Sequence, residues 1–393
     1  MMVVTTSRSK VLIVTALAGF VKSFLMQDVA TLQSMGYEVH CAANANHAGA
    51  EGVVDFLQER NVVFHQVDFS SSRIGLHESS IALRQMGELA SAEDFEFVHC
   101  HTPIAGAICR VAFRKLQRRG LVRVAYTTHG FYFHNGADWK AWFVFRTIED
   151  LMSRWSDTMI TINREDYGNA LRMHCPDVRY IPGVGADIDK FRDVKVNRVE
   201  YRQALGLCSD DFVVLAVGEI SARKNQKVIV EALSRHRIPN AVFVICGNCI
   251  TGTDTKREIE ELASKSCVDI RFLGRRSDVA EICKCADVGV LPSIREGLGL
   301  AGIEMLAAGL PVVGSDVHGI PDYLIDGYNG FLCSPHDADA FEQRLACLCD
   351  SDLRRQLGAN GYKSVRQFSV DESARCMARI YRDILGRGDA TCT

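Results

Sequence analysis

No stretch of the chain holds the roughly 18 to 20 consecutive apolar residues that a helix needs to cross a bilayer, and the formal net charge is only −3 over 393 residues. The first absence argues against an integral membrane protein. The second gives nucleic acid no overall attraction, although local basic patches can still form. A disulfide framework is missing as a pattern too: fifteen cysteines is an odd number, irregularly spaced along a large chain. That fits a reducing cytoplasm and cysteines used as small buried hydrophobes. Cys246 and Cys249 stand at zinc or redox spacing, but Cys283 and Cys285 are too close together to complete a zinc site. No metal and no cofactor is therefore expected.

What is present is alternation. The apolar run from Val11 to Val21, preceded by Arg8 and Lys10, imitates a signal peptide. Beyond Gly19, however, Phe24, Leu25, Val29 and Leu32 fall at helical spacing, and a new strand follows from Glu38 to Ala43, so the segment reads as strand, turn, helix, strand. Further strands are expected at Val62 to Gln66, Phe95 to Cys100, Val122 to Thr127, Thr158 to Ile162 and Val178 to Ile181. A glycine-rich break, Pro182 to Phe191, is followed by a second series: Phe212 to Val217, Ala241 to Cys246, Ile270 to Leu273, Val288 to Leu291, Pro311 to Val313 and Gly330 to Cys333. Strands alternating with helical patterns predict an α/β fold with parallel sheets, in two halves with a cleft between them. Ligands of such sheets bind at the carboxyl ends of the strands.

The chain is organised around Leu291 to Asp316, LPSIREGLGLAGIEMLAAGLPVVGSD. It reads as a strand end, a glycine loop, a short helix and another strand. Gly297, Gly299 and Gly302 allow close backbone approach, and the helix that follows aims its free N–H groups at the same place, an arrangement suited to a phosphate or diphosphate. Glu296 and Glu304 flank the loop, and carboxylates accept hydrogen bonds only, so hydroxyl groups are their natural partners. A diphosphate carrying hydroxyl-rich groups is a nucleotide sugar. Two other readings stand beside this one. Gly297 to Gly302 also fits G-x-G-x-x-G, with Asp316 where a ribose-binding acid would sit, and the glutamates of a tight turn can simply be solvated.

Loops after other strands add candidates. Leu17-Ala18-Gly19-Phe20 follows the first strand, and Gly218 to Gln226 follows the strand VVLAVG, with Arg223 and Lys224 placed where cations can neutralise a departing diphosphate. His129 beside Gly130 is read either as a group reaching the reacting sugar or as a satisfied structural histidine. His99 and His101 flank a cysteine and are read as pointing opposite ways, so that at most one faces a ligand. From Gly130 to Trp155 the chain is aromatic, and a basic stretch from Arg110 to Arg123, with Arg114, Lys115, Arg118, Arg119 and Arg123, lies a little before it. For most of these aromatics a core helix beside a solvated basic face is expected. Peripheral contact with an anionic membrane or with an acceptor's diphosphate is the alternative.

Glu296 and Glu304, eight positions apart, together with PSIREG, AAGLPVVGSD, GVGADIDKF, LGRRSDV, HGIPDYLIDGYNGFL and THGFYF, resemble the glycosyltransferase family 4 enzymes of GT-B fold, in particular those of bacterial capsular and exopolysaccharide synthesis. The resemblance spans nearly the whole chain. It implies two Rossmann-like domains, an acceptor-binding one over 1–190 and a nucleotide-sugar-binding one over 191–370, with a final helix in 371–393 crossing back to the first. It implies a retaining, metal-independent transfer of a hexose or N-acetylhexosamine from a UDP-sugar to a saccharide or polyprenyl-diphosphate-linked acceptor, in the cytoplasm or at the inner face of the membrane. By the same resemblance Glu304 binds ribose hydroxyls and Glu296 sugar hydroxyls. Gly297, Leu298, Gly299 and Leu300 offer backbone N–H groups, Lys224 binds the diphosphate and His129 lies near the sugar. Gly19 and Gly218 belong to the donor-binding loops, and the backbone around Arg276 meets the base. One departure is Glu219, where relatives commonly carry arginine, leaving Arg223 as a substitute. Outside the transferases, a nucleotide-sugar epimerase and an NAD-linked oxidoreductase remain alternatives.

Overall fold

The computed structural model describes residues 9–47, 50–70, 76–136, 138–250 and 252–386. Arg8 and residues 387–393 lie outside that range. The chain forms two compact units, one built from 1–184 with 371–393 and the other from 185–370.

In the first unit the apolar runs become strands β1 (Lys10–Leu17), β2 (Glu38–Asn44), β3 (Val62–Gln66), β4 (Phe95–His101), β5 (Arg123–Thr128), β6 (Thr158–Thr161) and β7 (Asp177–Tyr180). All pairings are parallel, in the order β3-β2-β1-β4-β5-β6-β7. Parallel strands are covered on both faces, which is why β1 carries Val11, Leu12, Ile13 and Val14 in succession, all fully buried. The run that imitates a signal peptide thus supplies a central strand. Val370–Ile384 is a helix whose residues from Asp371 onward belong to this unit. Tyr381 and Met377 on it are buried, and Ser373 Oγ donates to the Gly183 carbonyl.

The second unit repeats the plan with β8 (Phe212–Val217), β9 (Ala241–Cys246), β10 (Asp269–Gly274), β11 (Val288–Leu291), β12 (Val312–Ser315) and β13 (Gly330–Cys333). Their order is β10-β9-β8-β11-β12-β13, again parallel. Val214, Ile229, Phe243, Ile245, Val288 and Phe341 centre its core. In both units strand order reverses direction once, between β1 and β4 and between β8 and β11. Crevices open at such reversals, on the carboxyl ends of the strands. The described cysteines are free thiols, and Cys41, Cys100, Cys109, Cys246, Cys283 and Cys285 are buried.

Candidate functional site

The loops after β8 and β11 leave the sheet at the second unit's reversal point, and they bring Arg223 and Lys224 to Glu296. One oxygen of Glu296, Oε2, collects three donors: Lys224 Nζ at 2.5 Å, Ser293 Oγ at 3.1 Å and Arg223 Nη1 at 3.3 Å. Burial alone would raise the Glu296 carboxyl, but the charges of Lys224 and Arg223 outweigh it and hold the group below its ordinary range. Arg223 has further partners. Its Nη2 donates to Glu219 Oε1 at 2.8 Å and its Nη1 to the Arg295 carbonyl at 3.1 Å. Glu219 therefore pairs with Arg223. The two cations and two carboxylates balance, so an arriving diphosphate must compete for Lys224 and Arg223.

Gly218 follows β8 with φ 138°, and a Cβ there would lie 3.5 Å from Lys224 Cε, so the turn backs directly onto the lysine stem. Gly299 caps the helix Leu300–Ala307 in the left-handed region, φ 82°. A side chain at that position would be strained, and its Cβ would stand 2.9 Å from Glu296 Cγ. Gly302 is tighter still: a Cβ would come within 2.3 Å of the Tyr323 hydroxyl, which donates to the Gly299 carbonyl at 3.0 Å. Tyr323 is fully buried, and its hydroxyl fixes the loop at the helix N-terminus. Leu298 is buried beneath the loop. Glu304 lies one turn into the helix, half-buried, and its carboxylate makes no hydrogen bond to any described residue. Burial raises its carboxyl to about 7, partly offset by the nearby charge of Lys190. A desolvated acceptor of this kind suits hydroxyl groups. Arg276 is committed elsewhere, since its Nε donates to Asp278 Oδ1 at 2.8 Å. The same pairing holds Asp278 down to about 2. The Arg275 N–H donates to Asn248 Oδ1 at 3.0 Å.

In the first unit Gly19 sits in the short helix Ala18–Phe20 after β1, with open space where a Cβ would be. His129 follows β5, and its ring packs T-shaped against Phe20 with centroids 4.8 Å apart. Its Nε2 is 3.1 Å from His101 Nδ1. The expectation that His99 and His101 point opposite ways is overturned: their rings are 4.1 Å apart on one face of β4. Strand side chains alternate with a period of two, so i and i+2 share a face. Burial lowers His99 to about 3 and His129 to about 4, and it takes His101 well below its ordinary range. All three imidazoles are neutral at neutral pH.

The expected core helix is corrected in part. Phe131 and Phe133 are buried, but Trp139 and Phe143 are 72% and 65% exposed on the helix Trp139–Ser153. That helix buries its polar side instead, where Glu149 accepts from Arg110 at 2.9 Å beneath the surface. Arg110, which opens the basic stretch, is fully buried rather than solvated.

Residues 197–364 match the family described as Glycosyl transferases group 1, and residues 21–183 match the Glycosyl transferase 4-like domain. "Putative glycosyltransferase EpsD" of Bacillus subtilis strain 168 is 33% identical over 367 residues, which is 92% of this chain and 93% of that protein. The Escherichia coli UDP-Gal:alpha-D-GlcNAc-diphosphoundecaprenol alpha-1,3-galactosyltransferase is 28% identical over 322 residues, 79% of this chain and 81% of its own. Among solved structures, Anabaena HepE in complex with UDP and glucose gives a TM-score of 0.78 at 17% identity, covering 95% of this chain and 100% of HepE. Sucrose-phosphate synthase of Thermosynechococcus elongatus gives 0.78 at 20% identity over 97% and 100%. The chain belongs to the glycosyltransferases of GT-B fold. Within them it resembles the enzymes of exopolysaccharide biosynthesis.

Proposed function

We propose that the chain is a retaining family 4 transferase that moves a hexose or N-acetylhexosamine from a UDP-sugar to a lipid-linked or growing saccharide. The observation that carries this reading is the cluster at Glu296, where Lys224, Arg223 and Ser293 meet one carboxylate oxygen beside the glycine-capped helix. A donor diphosphate would take Lys224 and Arg223 and face the helix N-terminus, and Glu296, released from them, would accept from sugar hydroxyls. Glu304 would accept from the ribose. The bond from the sugar's anomeric carbon to the diphosphate breaks and one to the acceptor oxygen forms on the same face. The acceptor's proton passes to a phosphate oxygen of the leaving group. Lys224 and the helix dipole stabilise the charge that develops there, which is commonly a large catalytic contribution. They supply positive charge where other transferases use a metal ion.

The names of the relatives support a UDP-sugar and a lipid-linked acceptor, since the E. coli enzyme is named for UDP-Gal and a diphosphoundecaprenol acceptor and HepE was solved with UDP and glucose. Against the dinucleotide reading, the G-x-G-x-x-G match follows β11, well after the first strand of its unit. Melting the chain with UDP, GDP, ADP and NAD, alone and as sugar conjugates, tests the assignment. A rise with UDP and one UDP-sugar is expected, because a ligand of the native state stabilises it by mass action, and a rise with NAD alone would overturn it.

The outer face of Trp139–Ser153 supports peripheral membrane contact. Trp139, Phe143, Val144 and Leu151 are exposed on it, and the exposed Arg114, Lys115, Arg118 and Arg119 lie on or just after the helix it packs against. Apolar side chains bordered by cations suit an anionic leaflet. No helix among the described residues is long and apolar enough to cross a membrane. Co-sedimentation with vesicles containing anionic phospholipid is expected for the native chain and not for Phe143→Ser. Equal sedimentation of both would remove the membrane from the proposal.

A further inference from the structure

The histidines of the first unit do more than surround His129. Asp28, on the helix Met26–Ser34, comes to the same face of the sheet as His99 and His101, and the three offer donor atoms within 4.8 Å of one another. His101 is 1% exposed, and its Nε2 has no hydrogen-bond partner. Asp28 and His101 line one small cavity with Thr127 and His129, with about 10 Å³ of room, on the scale of a single water or a bare cation. A buried nitrogen left unpaired costs roughly 1–3 kcal/mol, so its persistence calls for an occupant.

We propose that Asp28, His99 and His101 bind one divalent transition-metal ion, zinc in the first instance. The donor set, two imidazoles and a carboxylate, is one that zinc uses with a further position left open. A tetrahedral ion with bonds of about 2.0–2.1 Å places its ligands roughly 3.3 Å apart, so the three side chains close by no more than ~1.5 Å. His101 binds through the unpartnered Nε2. Its Nδ1 then carries the ring proton and donates it to His129 Nε2, now 3.1 Å away. His99 bonds Tyr381 Oη through Nδ1 at 2.9 Å and Thr127 Oγ1 through Nε2 at 2.7 Å. Tyr381 also lies beside Asp28, so Nδ1 is the nitrogen on the Asp28 side. Coordination there moves the ring proton to Nε2, where Thr127 Oγ1 accepts it, and the Tyr381 hydroxyl is freed to turn to Asp28. Partners of this kind are what orient metal-bound histidines.

The ion's role is to position. It binds helix Met26–Ser34 to β4 and sets the tautomer of the His101–His129 pair. Among the described residues the other group with three donor atoms this close, Cys208, Asp210 and Asp211, is on a largely exposed turn and shows no unsatisfied buried atom.

The test uses the full chain stripped with EDTA and titrated with Co²⁺ alone, then Zn²⁺ alone. One Co²⁺ per chain is expected, with visible d–d absorption and no thiolate charge-transfer band. Zn²⁺ should displace it and raise the melting temperature. His101→Gln and Asp28→Asn should each weaken uptake by at least about 100-fold, more than loss of an outer-shell partner costs. No stoichiometric uptake, a thiolate band, or uptake unchanged in a folded His101→Gln chain would overturn the site. Should neither variant fold, X-ray absorption of the zinc-loaded native chain decides. Two imidazoles and oxygen scatterers support the site, and sulfur or the absence of imidazole overturns it.

Discussion

The two units share a strand order and a reversal point, yet their reversal points hold opposite chemistries. In the second unit the loops after β8 and β11 gather charge: Lys224 and Arg223 against Glu296 and Glu219, partly open to solvent. In the first, the ends of β4 and β5 gather His99, His101 and His129, each neutral because burial disfavours its cation. Topology thus decides where a site forms, and the loop residues decide what it does. A charged cluster can exchange partners when a ligand of matching charge arrives. A desolvated neutral cluster resists protonation and holds shape.

The comparison breaks most visibly at Lys224. Lys224→Ala should lower kcat by about 100- to 1,000-fold, the range found on removing one group that stabilises developing charge. A change mainly in KM would show that the lysine holds donor and transition state alike. Glu304→Gln comes next. It replaces charge-assisted hydrogen bonds by weaker ones, so UDP affinity should fall about 10- to 100-fold by calorimetry.

The same variant sharpens the contrast through pH. The folded carboxyl titrates near 7 against an ordinary 4.5, so the native state keeps a proton that the unfolded chain releases. Stability therefore falls as pH rises from about 4.5 to 7, and above 7 the full cost is present. Allowing for partial exposure, Glu304→Gln should stabilise the unliganded chain by about 1–2 kcal/mol at pH 8 and by little at pH 5. Equal gains at both values would refute the burial argument. Gly302→Ala acts through packing. It forces the Tyr323 ring away from the helix and should cost about 1–3 kcal/mol, whereas Tyr323→Phe should lose about 1 kcal/mol with the Gly299 bond. Denaturant unfolding measures both. The smallest effect belongs to the outer helix face: Phe143→Ser should shift stability by less than about 0.5 kcal/mol while ending vesicle binding.

Much of the architecture was legible because fully buried parallel strands write themselves as short apolar runs. Val62–Gln66, Phe212–Val217, Ala241–Cys246, Val288–Leu291 and Gly330–Cys333 are found at the expected residues. The resemblance assigns Lys224 to a diphosphate and Glu296 to sugar hydroxyls, and it does not imply the ion pair between them. Pairings across long stretches of sequence leave no periodic trace: Tyr323 under Gly302, Asp28 and Tyr381 at the histidines. The aromatic helix misled for a different reason. Its apolar stripe has the spacing of a core helix, and spacing is indifferent to which side faces inward. The signal available was Glu149, a carboxylate on the opposite face, answered by Arg110 from a neighbouring helix.

Because its last helix comes from the far end of the chain, the first unit is assembled from two separate lengths of polypeptide, whereas the second is continuous. Tyr381 is fully buried and reaches His99. On the ribosome, the half begun first therefore cannot be finished until the codons for the Tyr381 helix are read, and the half begun second can close before it. A nonsense codon shortly after Val370 would spare every donor-cluster residue and still leave the earlier half without its closing helix.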